Sequence, residues 1–276
     1  MGDPPSRIAV VGPDDDRTGR VRRAVGDAGG ELVDPPSADA IVALGDGGLR
    51  DATRRVVDPD GSGGTDHAPV YPLFERSAVP SDGNTGAVDD TVANEGERVD
   101  HAVRRLMQGN TRLVSQPILS IDLDDVDTYH ATFDVALVTD EPARISEYGI
   151  DAPDRRHLTV RSDGVVVATP LGSERYANAA GGPVVAPSAG LAVVPIAPFT
   201  TRRDTWVVDG TVTLSVERDA EAVSGVVDGR RRAGVPSGCP VKIGIAARVD
   251  LLVDGADPER KAGVDPAPDR KGSNNS

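Results

Sequence analysis

Short apolar runs that end at a glycine open the chain. RIAVVG occupies residues 7–12 and DAIVALGDGG occupies residues 39–48, and an amphipathic segment follows each of them, at residues 17–28 and through Arg55. The apolar runs predict strands and the segments after them predict helices. Two successive strand, turn and helix units favour a parallel α/β sheet, whose ligands bind at the carboxyl ends of its strands.

The hydrophobic pattern changes near residue 110. Before it, APVYPLF predicts a strand at residues 68–74, and residues 88–107 predict a helix with an apolar stripe of Val88, Val92, Val99, Val103 and Leu106. After Gly109 come alternating or apolar runs typical of strands: TRLVSQPILSIDL, YHATFDVALVT, ARISEYGI, HLTVRS, GVVVAT, LAVVPIA, TWVV and TVTLSVE. We therefore expect an α/β domain at residues 1–109, a β-rich domain at 110–254 and a disordered polar tail at 255–276.

Charge and composition narrow the possible partners. Asp and Glu total 44 against 30 Lys and Arg, a net charge of −14 spread along the chain, which argues against nucleic-acid binding. The acidic surface and the scarcity of lysine resemble proteins of salt-loving archaea; an ordinary acidic protein from a high-GC genome is the alternative. One cysteine and four histidines at no ligand-like spacing predict neither a disulfide framework nor a metal site held by the protein alone.

No apolar run approaches the roughly 18 residues of a membrane span, and the N-terminus shows no signal-peptide pattern. We expect a cytoplasmic protein that does not bind membranes.

Three motifs occur in a fixed order. They are LGDGG at residues 44–48, SDGVVVATPLGSERYANAAGGPVVAP at 162–187 and LAVVPIAPF at 191–199. The glycines of the second motif predict close approach of the backbone to a ligand or to another element. This series resembles the NAD kinase family, in register over about residues 110–230 and more weakly before them.

The resemblance implies a fold and an activity. The fold is an N-terminal α/β domain followed by an all-β, sandwich-like C-terminal domain, of the NAD kinase and diacylglycerol kinase type. The activity is transfer of a phosphoryl group from ATP, or polyphosphate, to the 2′-hydroxyl of NAD, giving NADP. Mg²⁺ or another divalent metal accompanies the ATP, and the chain assembles into a dimer or tetramer.

The resemblance also implies roles for particular residues. Asp46 is the catalytic carboxylate; phosphates of ATP bind at Gly45, Gly47 and Gly48; NAD binds at Asp134, Asp163, Gly172, Ser173, Glu174, Arg175 and Tyr176. Without the later motifs, Asp46 is better explained as an N-cap after a strand and Tyr176 as a core residue, and Asp163 fits a hairpin turn equally well.

Several positions depart from the family pattern. Leu44 replaces the first glycine of GGDG, Gly48 follows that motif where threonine is usual, and Phe199 replaces a histidine. Phe133 with Asp134 replaces an Asn-Glu pair, and Glu174 with Arg175 replaces small residues. Two alternatives therefore stay open: a catalytically weakened nucleotide-binding paralogue with a regulatory role, and a kinase for another hydroxyl substrate on the same scaffold.

Overall fold

The computed structural model describes residues 4–57, 67–74, 95–123, 128–141, 144–153, 155–200, 204–218 and 222–254. The predicted disordered tail, residues 255–276, lies outside the described residues, as do Val88 and Val92 of the predicted helical stripe. Within the described stretches no helix is long and apolar enough to cross a membrane.

Parallel strands and helices form the described part of the chain before residue 110. In order these are β1 (Arg7–Val11), α1 (Asp16–Asp27), β2 (Glu31–Leu32), a 3₁₀ turn (Pro35–Ser37), β3 (Ala40–Leu44), α2 (Gly45–Val57), β4 (Val70–Leu73) and α3 (Glu95–Met107). The strands pair in the order β2, β1, β3, β4, and these pairings are parallel. The two units predicted from the glycine-terminated runs therefore lie side by side in one sheet.

Helices cover both faces of this parallel sheet. Ile8 of β1 packs with Val21 of α1 and Val103 of α3. The next residue, Ala9, packs on the other side with Leu49 of α2. Successive side chains of a strand point to opposite faces, so an entirely apolar strand needs cover on both.

The chain after residue 110 is mainly strand. Its elements are β5 (Thr111–Asp122), β6 (Thr128–Ala131), β7 (Asp134–Thr139), β8 (Ser146–Ala152), β9 (Arg155–Ser162), β10 (Gly164–Ala168), α4 (Pro170–Ser173), α5 (Tyr176–Ala179), β11 (Leu191–Ile196), β12 (Trp206–Val208), β13 (Val212–Arg218), β14 (Val223–Val227), β15 (Arg230–Gly234) and β16 (Val241–Asp254). The predicted run YHATFDVALVT forms two strands, β6 and β7, because the chain bends at Thr132 and Phe133.

β16 connects the two halves of the chain. It pairs in parallel with β4, where Leu251 faces Val70, and antiparallel with β5 and β13. The result is a mixed sheet in the order β2, β1, β3, β4, β16, β13, β8, β9, with β6 and β5 attached through β16. A second, antiparallel sheet runs β12, β11, β10, β7, β14, β15.

The core of the second half lies between the two sheets. Leu119 of β5, Tyr148 of β8 and Leu214 of β13 come from the mixed sheet, and Val135 of β7 and Val167 of β10 come from the antiparallel sheet. All five are fully buried. Two sheets that share one apolar core in this way form the sandwich-like packing expected from the alternating strands.

Candidate active site

Asp46 stands where the buried strand β3 passes into α2. Gly45 takes φ +62°, in the left-handed region that favours glycine, so the chain turns from strand to helix at that residue. A Cβ at Gly48 would collide with the backbone carbonyl of Val11, which shows how closely α2 packs on β1. Asp46 is the second residue of α2, so it does not occupy the N-cap position before the helix. Its carboxylate lies at the carboxyl end of a parallel strand, where open α/β sheets bind ligands.

Arg50 lies four residues after Asp46 and shares its helix face. Both side chains line the same cavity. Among the described residues, the Arg50 guanidinium has no ion-pair partner.

One carboxylate from a distant hairpin holds the segment between β6 and β7. Asp228 Oδ1 accepts hydrogen bonds from the backbone N–H groups of Phe133 (2.7 Å) and Asp134 (3.2 Å), and Oδ2 accepts one from Thr132 (3.0 Å). Asp228 and Gly229 form the turn between β14 and β15 with φ +48° and +73°, the conformation that Asp-Gly hairpins favour. This turn therefore fixes the backbone that presents Phe133 and Asp134.

Asp134 is a buried carboxyl group with only 8% of its surface exposed. The pKa of Asp134 is raised to about 6, chiefly by burial and next by the charge of Asp228, although the charges of Arg175 and Arg50 act to lower it. A carboxyl group in a cleft with its pKa shifted toward neutrality by burial is typical of functional sites.

Arg175 links α2 to the segment that follows β10. Its guanidinium donates a hydrogen bond to Asp46 Oδ2 and lies over the ring of Phe133, 4.0 Å from the centroid. The ring of Phe74 is 5.1 Å from the same guanidinium. The position of Arg175 depends on the short helix α4, which Thr169 caps by accepting a hydrogen bond from the Gly172 N–H.

These side chains surround a cavity of about 420 Å³. Asp46, Arg50 and Arg175 give it charged groups, while Ala136 and Val138 of β7 form an apolar wall. The volume lies within the range of small-molecule sites, and a cleft with an aromatic ring, guanidinium groups and carboxylates has the groups needed to bind a nucleotide. Among the described residues, no group of three or more His, Cys, Asp or Glu is arranged to hold a metal ion.

The structure brings four of the predicted site residues together around this cavity: Asp46, Asp134, Arg175 and Tyr176. The side chain of Tyr176 is 46% exposed, so the core interpretation of this residue is wrong. Burial raises the pKa of its hydroxyl, and the charges of Asp134 and Asp163 raise it further.

The other predicted residues lie around the cavity without lining it. Gly45, Gly47 and Gly48 form the start of α2, and Gly47 is exposed with open space where a side chain would stand. Asp163 lies between β9 and β10, which belong to different sheets, so it is a crossover residue and not a hairpin-turn residue. Glu174 follows α4 as its C-cap, beside Arg175.

Gly172 and Ser173 are buried in the packing of α4. A Cβ at Gly172 would overlap the backbone carbonyl of Phe133, so this glycine allows two backbone segments to touch. The hydroxyl of Ser173 donates to the Pro170 carbonyl (2.7 Å) and accepts from the Val185 N–H (2.9 Å). Both residues thus fix the backbone of α4, which leads to Arg175 and packs against Phe133.

Sequence reasoning missed Arg50 and Asp228. The one sequence feature that indicates Arg50 is its i, i+4 spacing from Asp46, which predicts that both side chains share a helix face, and this feature is weak. Asp228 has a stronger one, because Asp-Gly between the apolar run VSGVV and RRRAG predicts a two-residue hairpin turn. The arginines at residues 230–232 lie on strand β15, directly after this turn.

Comparison with known families agrees with this geometry. Residues 134–250 match the ATP-NAD kinase C-terminal domain. An NAD kinase of Thermoplasma acidophilum is 31% identical over 164 residues, which are 58% of this chain and 60% of that relative. An NAD kinase of Thermoplasma volcanium is 25% identical over 221 residues, 79% of this chain and 74% of the relative. These matches support the NAD kinase family, and the first alignment spans about three fifths of that relative's length.

Solved structures extend the likeness in fold to nearly the whole chain. An NAD kinase from Archaeoglobus fulgidus in complex with ATP superposes with a TM-score of 0.65 at 21% identity, over 93% of this chain and 96% of that one. A yeast NADH kinase complexed with NADH gives a TM-score of 0.63 at 15% identity, over 92% and 85%. At such identities the likeness establishes the fold and leaves the chemistry to the residues of the site.

Proposed function

We propose that this chain is an NAD kinase, which transfers the γ-phosphoryl group of ATP to the 2′-hydroxyl of NAD and yields NADP. The observation that carries the proposal is the position of Asp46. Its carboxylate lies at the end of a parallel strand and lines a cavity with Phe133 and Asp134, whose segment begins the domain that matches NAD kinases. Phosphoryl transfer needs little more from a protein than positioning and charge stabilisation, with a group that accepts the hydroxyl proton.

In this proposal Asp46 orients the 2′-hydroxyl and accepts its proton. The backbone at Gly45, Gly47 and Gly48 approaches the phosphates, and the exposed, open position of Gly47 supports this role. A divalent metal such as Mg²⁺ fits this site because it is usually held by substrate phosphates with one or two carboxylates, of which Asp46 is one. When bound, it would neutralise charge that develops on the phosphates.

In this proposal NAD binds the part of the cavity lined by Phe133, Asp134 and Tyr176. Phe133 offers a ring for stacking on the base, Asp134 a carboxyl group and Tyr176 a half-exposed phenol. Gly172, Ser173 and Glu174 act from the segment that carries Arg175, and Asp163 is proposed to contact NAD from outside the cavity described above. The family resemblance further suggests a homo-oligomer in the cytoplasm, with polyphosphate as an alternative phosphate donor.

The reaction is tested by incubating the purified chain with ATP, MgCl₂ and NAD and measuring NADP with a dehydrogenase that accepts only NADP. NADP should accumulate in proportion to enzyme concentration and time. Parallel reactions with NADH or with polyphosphate define the acceptor and the donor. If ATP and NAD raise the melting temperature but no NADP forms, the kinase proposal is wrong.

That second outcome would favour the nucleotide-binding paralogue. One observation supports this alternative: Asp46 is paired with Arg175, and the ring of Phe133 is covered by the same guanidinium. An enzyme must release both groups before catalysis, whereas a binding protein need not use Asp46 as a base.

A further inference from the structure

Arg175 occupies the surface that a nucleotide base needs for stacking. Its guanidinium carbon is 4.0 Å from the centroid of the Phe133 ring, near the separation of atoms in van der Waals contact. Phe133 is only 3% exposed, and its remaining surface packs in a core cluster with Ile118 and Leu171. A base therefore reaches the ring only after the guanidinium has moved away.

Moving Arg175 breaks three contacts, one with the Asp46 carboxylate and two with the rings of Phe133 and Phe74. The side chain of Asp46 is 43% exposed, so water can replace the guanidinium there. The side chain of Arg175 is only 23% exposed and needs a new anionic partner close by. A phosphate carried by the entering ligand supplies one, because the guanidinium fork binds phosphate oxygens in pairs.

We propose that Arg175 determines specificity by exchange: the base of a nucleotide takes its place on Phe133 while the phosphate of the same nucleotide draws it away from Asp46. A nucleoside has the base but lacks the phosphate, so it displaces Arg175 without compensation. The exchange also frees the Asp46 carboxylate as the nucleotide enters. This inference rests on the proposed function for the class of ligand, but it concerns binding and not phosphoryl transfer.

Arg50 is the competing partner for the phosphate. It lines the cavity on the same helix face as Asp46 but does not lie over the Phe133 ring. If Arg50 alone bound the phosphate, Arg175 would obstruct nucleosides and nucleotides equally. If Arg175 binds the phosphate, substituting Arg175 should reduce the preference for a nucleotide over a nucleoside. If Arg50 binds it, substituting Arg50 should do so instead.

Isothermal titration calorimetry with adenosine and ADP distinguishes them. Arg175→Met should weaken ADP binding about tenfold, the loss of roughly 1.4 kcal/mol, while adenosine binding tightens because the ring is uncovered. Arg175→Lys keeps the charge but not the flat fork, and should lie between wild type and Arg175→Met. The matched control is Arg161→Met, since Arg161 lies over the exposed ring of Phe199, 5.7 Å from its centroid and outside the cavity lining, and it should leave both affinities unchanged.

The melting temperature of each variant is measured in parallel, and Arg175→Lys decides the question if Arg175→Met does not fold. The proposal is supported if the preference for ADP over adenosine, measured as the ratio of their dissociation constants, falls in the Arg175 variants but not in Arg161→Met or Arg50→Met. It is overturned if both ligands change by the same factor, if Arg50→Met alone removes the preference, or if wild type binds neither ligand. Tight ADP binding with this ratio, but no NADP formation, would instead remove the kinase proposal and leave this one standing.

Discussion

Some residues of the site can be identified from the local sequence pattern, and others can be identified only from contacts between distant parts of the chain. Asp46 follows a buried strand at a glycine-rich turn, so local pattern suffices to find it. The contact between Arg175 and Asp46 joins positions 129 apart, and it depends on the packing of α4 against Phe133. Asp228 is recognisable as a turn residue, but the amides it binds lie 94 to 96 positions earlier and leave no local signal.

Asp134 gives a pH-dependent prediction at this scale. Its pKa is raised to about 6 in the folded chain, chiefly by burial, whereas an unfolded Asp titrates near 4. Below both pKa values Asp134 is protonated in the folded and the unfolded chain, so its burial carries no charge penalty. Above about pH 6 the buried charge lowers the free energy of unfolding by about 1–3 kcal/mol. Asp134→Asn should therefore melt higher than wild type at pH 7.5, and the gap should close as the pH falls from 6 toward 4.

The control for this series is Asp51→Asn, which removes an exposed carboxylate from α2. A gap between Asp134→Asn and wild type that stays constant across this pH range would show that burial does not penalise the Asp134 charge.

Among the elements, β16 serves two cores, and its sequence pattern does not show this. A register shift between Ile245 and Ala247 changes the face of the sheet to which the alternate side chains of β16 point. Val241 and Ile243 therefore face the sandwich core, while Val249 and Leu251 face the cluster beneath α2. The apolar positions alternate without a visible break, but no count of alternation in sequence shows that they serve two different cores.

The contact between α4 and the β6–β7 segment predicts the effect of one methyl group. Gly172→Ala should lower the free energy of unfolding by about 1–3 kcal/mol, because the new Cβ overlaps the Phe133 carbonyl and backbone must shift. Gly19→Ala is the matched control: it lies within α1 with only the end of Arg23 nearby, and should add about 0.5–1 kcal/mol. Urea unfolding measures both. Equal stabilities for the two variants would contradict the close packing assigned to Gly172.

On the scale of the whole molecule, β16 joins both halves in one sheet, so the domain division at residue 110 stays a prediction. The alternating pattern predicted the sandwich-like half, and the glycine-terminated runs predicted the parallel strands. Neither pattern indicates which strand completes the parallel sheet, since the pairing of β16 with β4 joins residues far apart in sequence.

The net charge of −14 predicts how the whole chain responds to salt. Carboxylates spread over the surface repel one another, and at about 1 M salt this repulsion is screened beyond about 3 Å. The melting midpoint, followed by circular dichroism, should therefore rise from dilute buffer to molar KCl, as the resemblance to proteins of salt-loving archaea suggests. A midpoint that stays flat or falls would remove the proposal of salt adaptation.

The most direct test of the phosphotransferase claim is the turnover of Asp46→Asn in the NADP assay. The substitution keeps the shape of the side chain but removes the proton acceptor, so turnover should fall by about 10²–10⁴-fold. The melting temperature should stay close to that of wild type, because the pair with Arg175 is partly exposed and such pairs add only about 0–1 kcal/mol. Asp51→Asn on the same helix should leave turnover unchanged. Wild-type turnover in Asp46→Asn, or a loss of turnover that only follows a loss of folding, would contradict the catalytic role of Asp46.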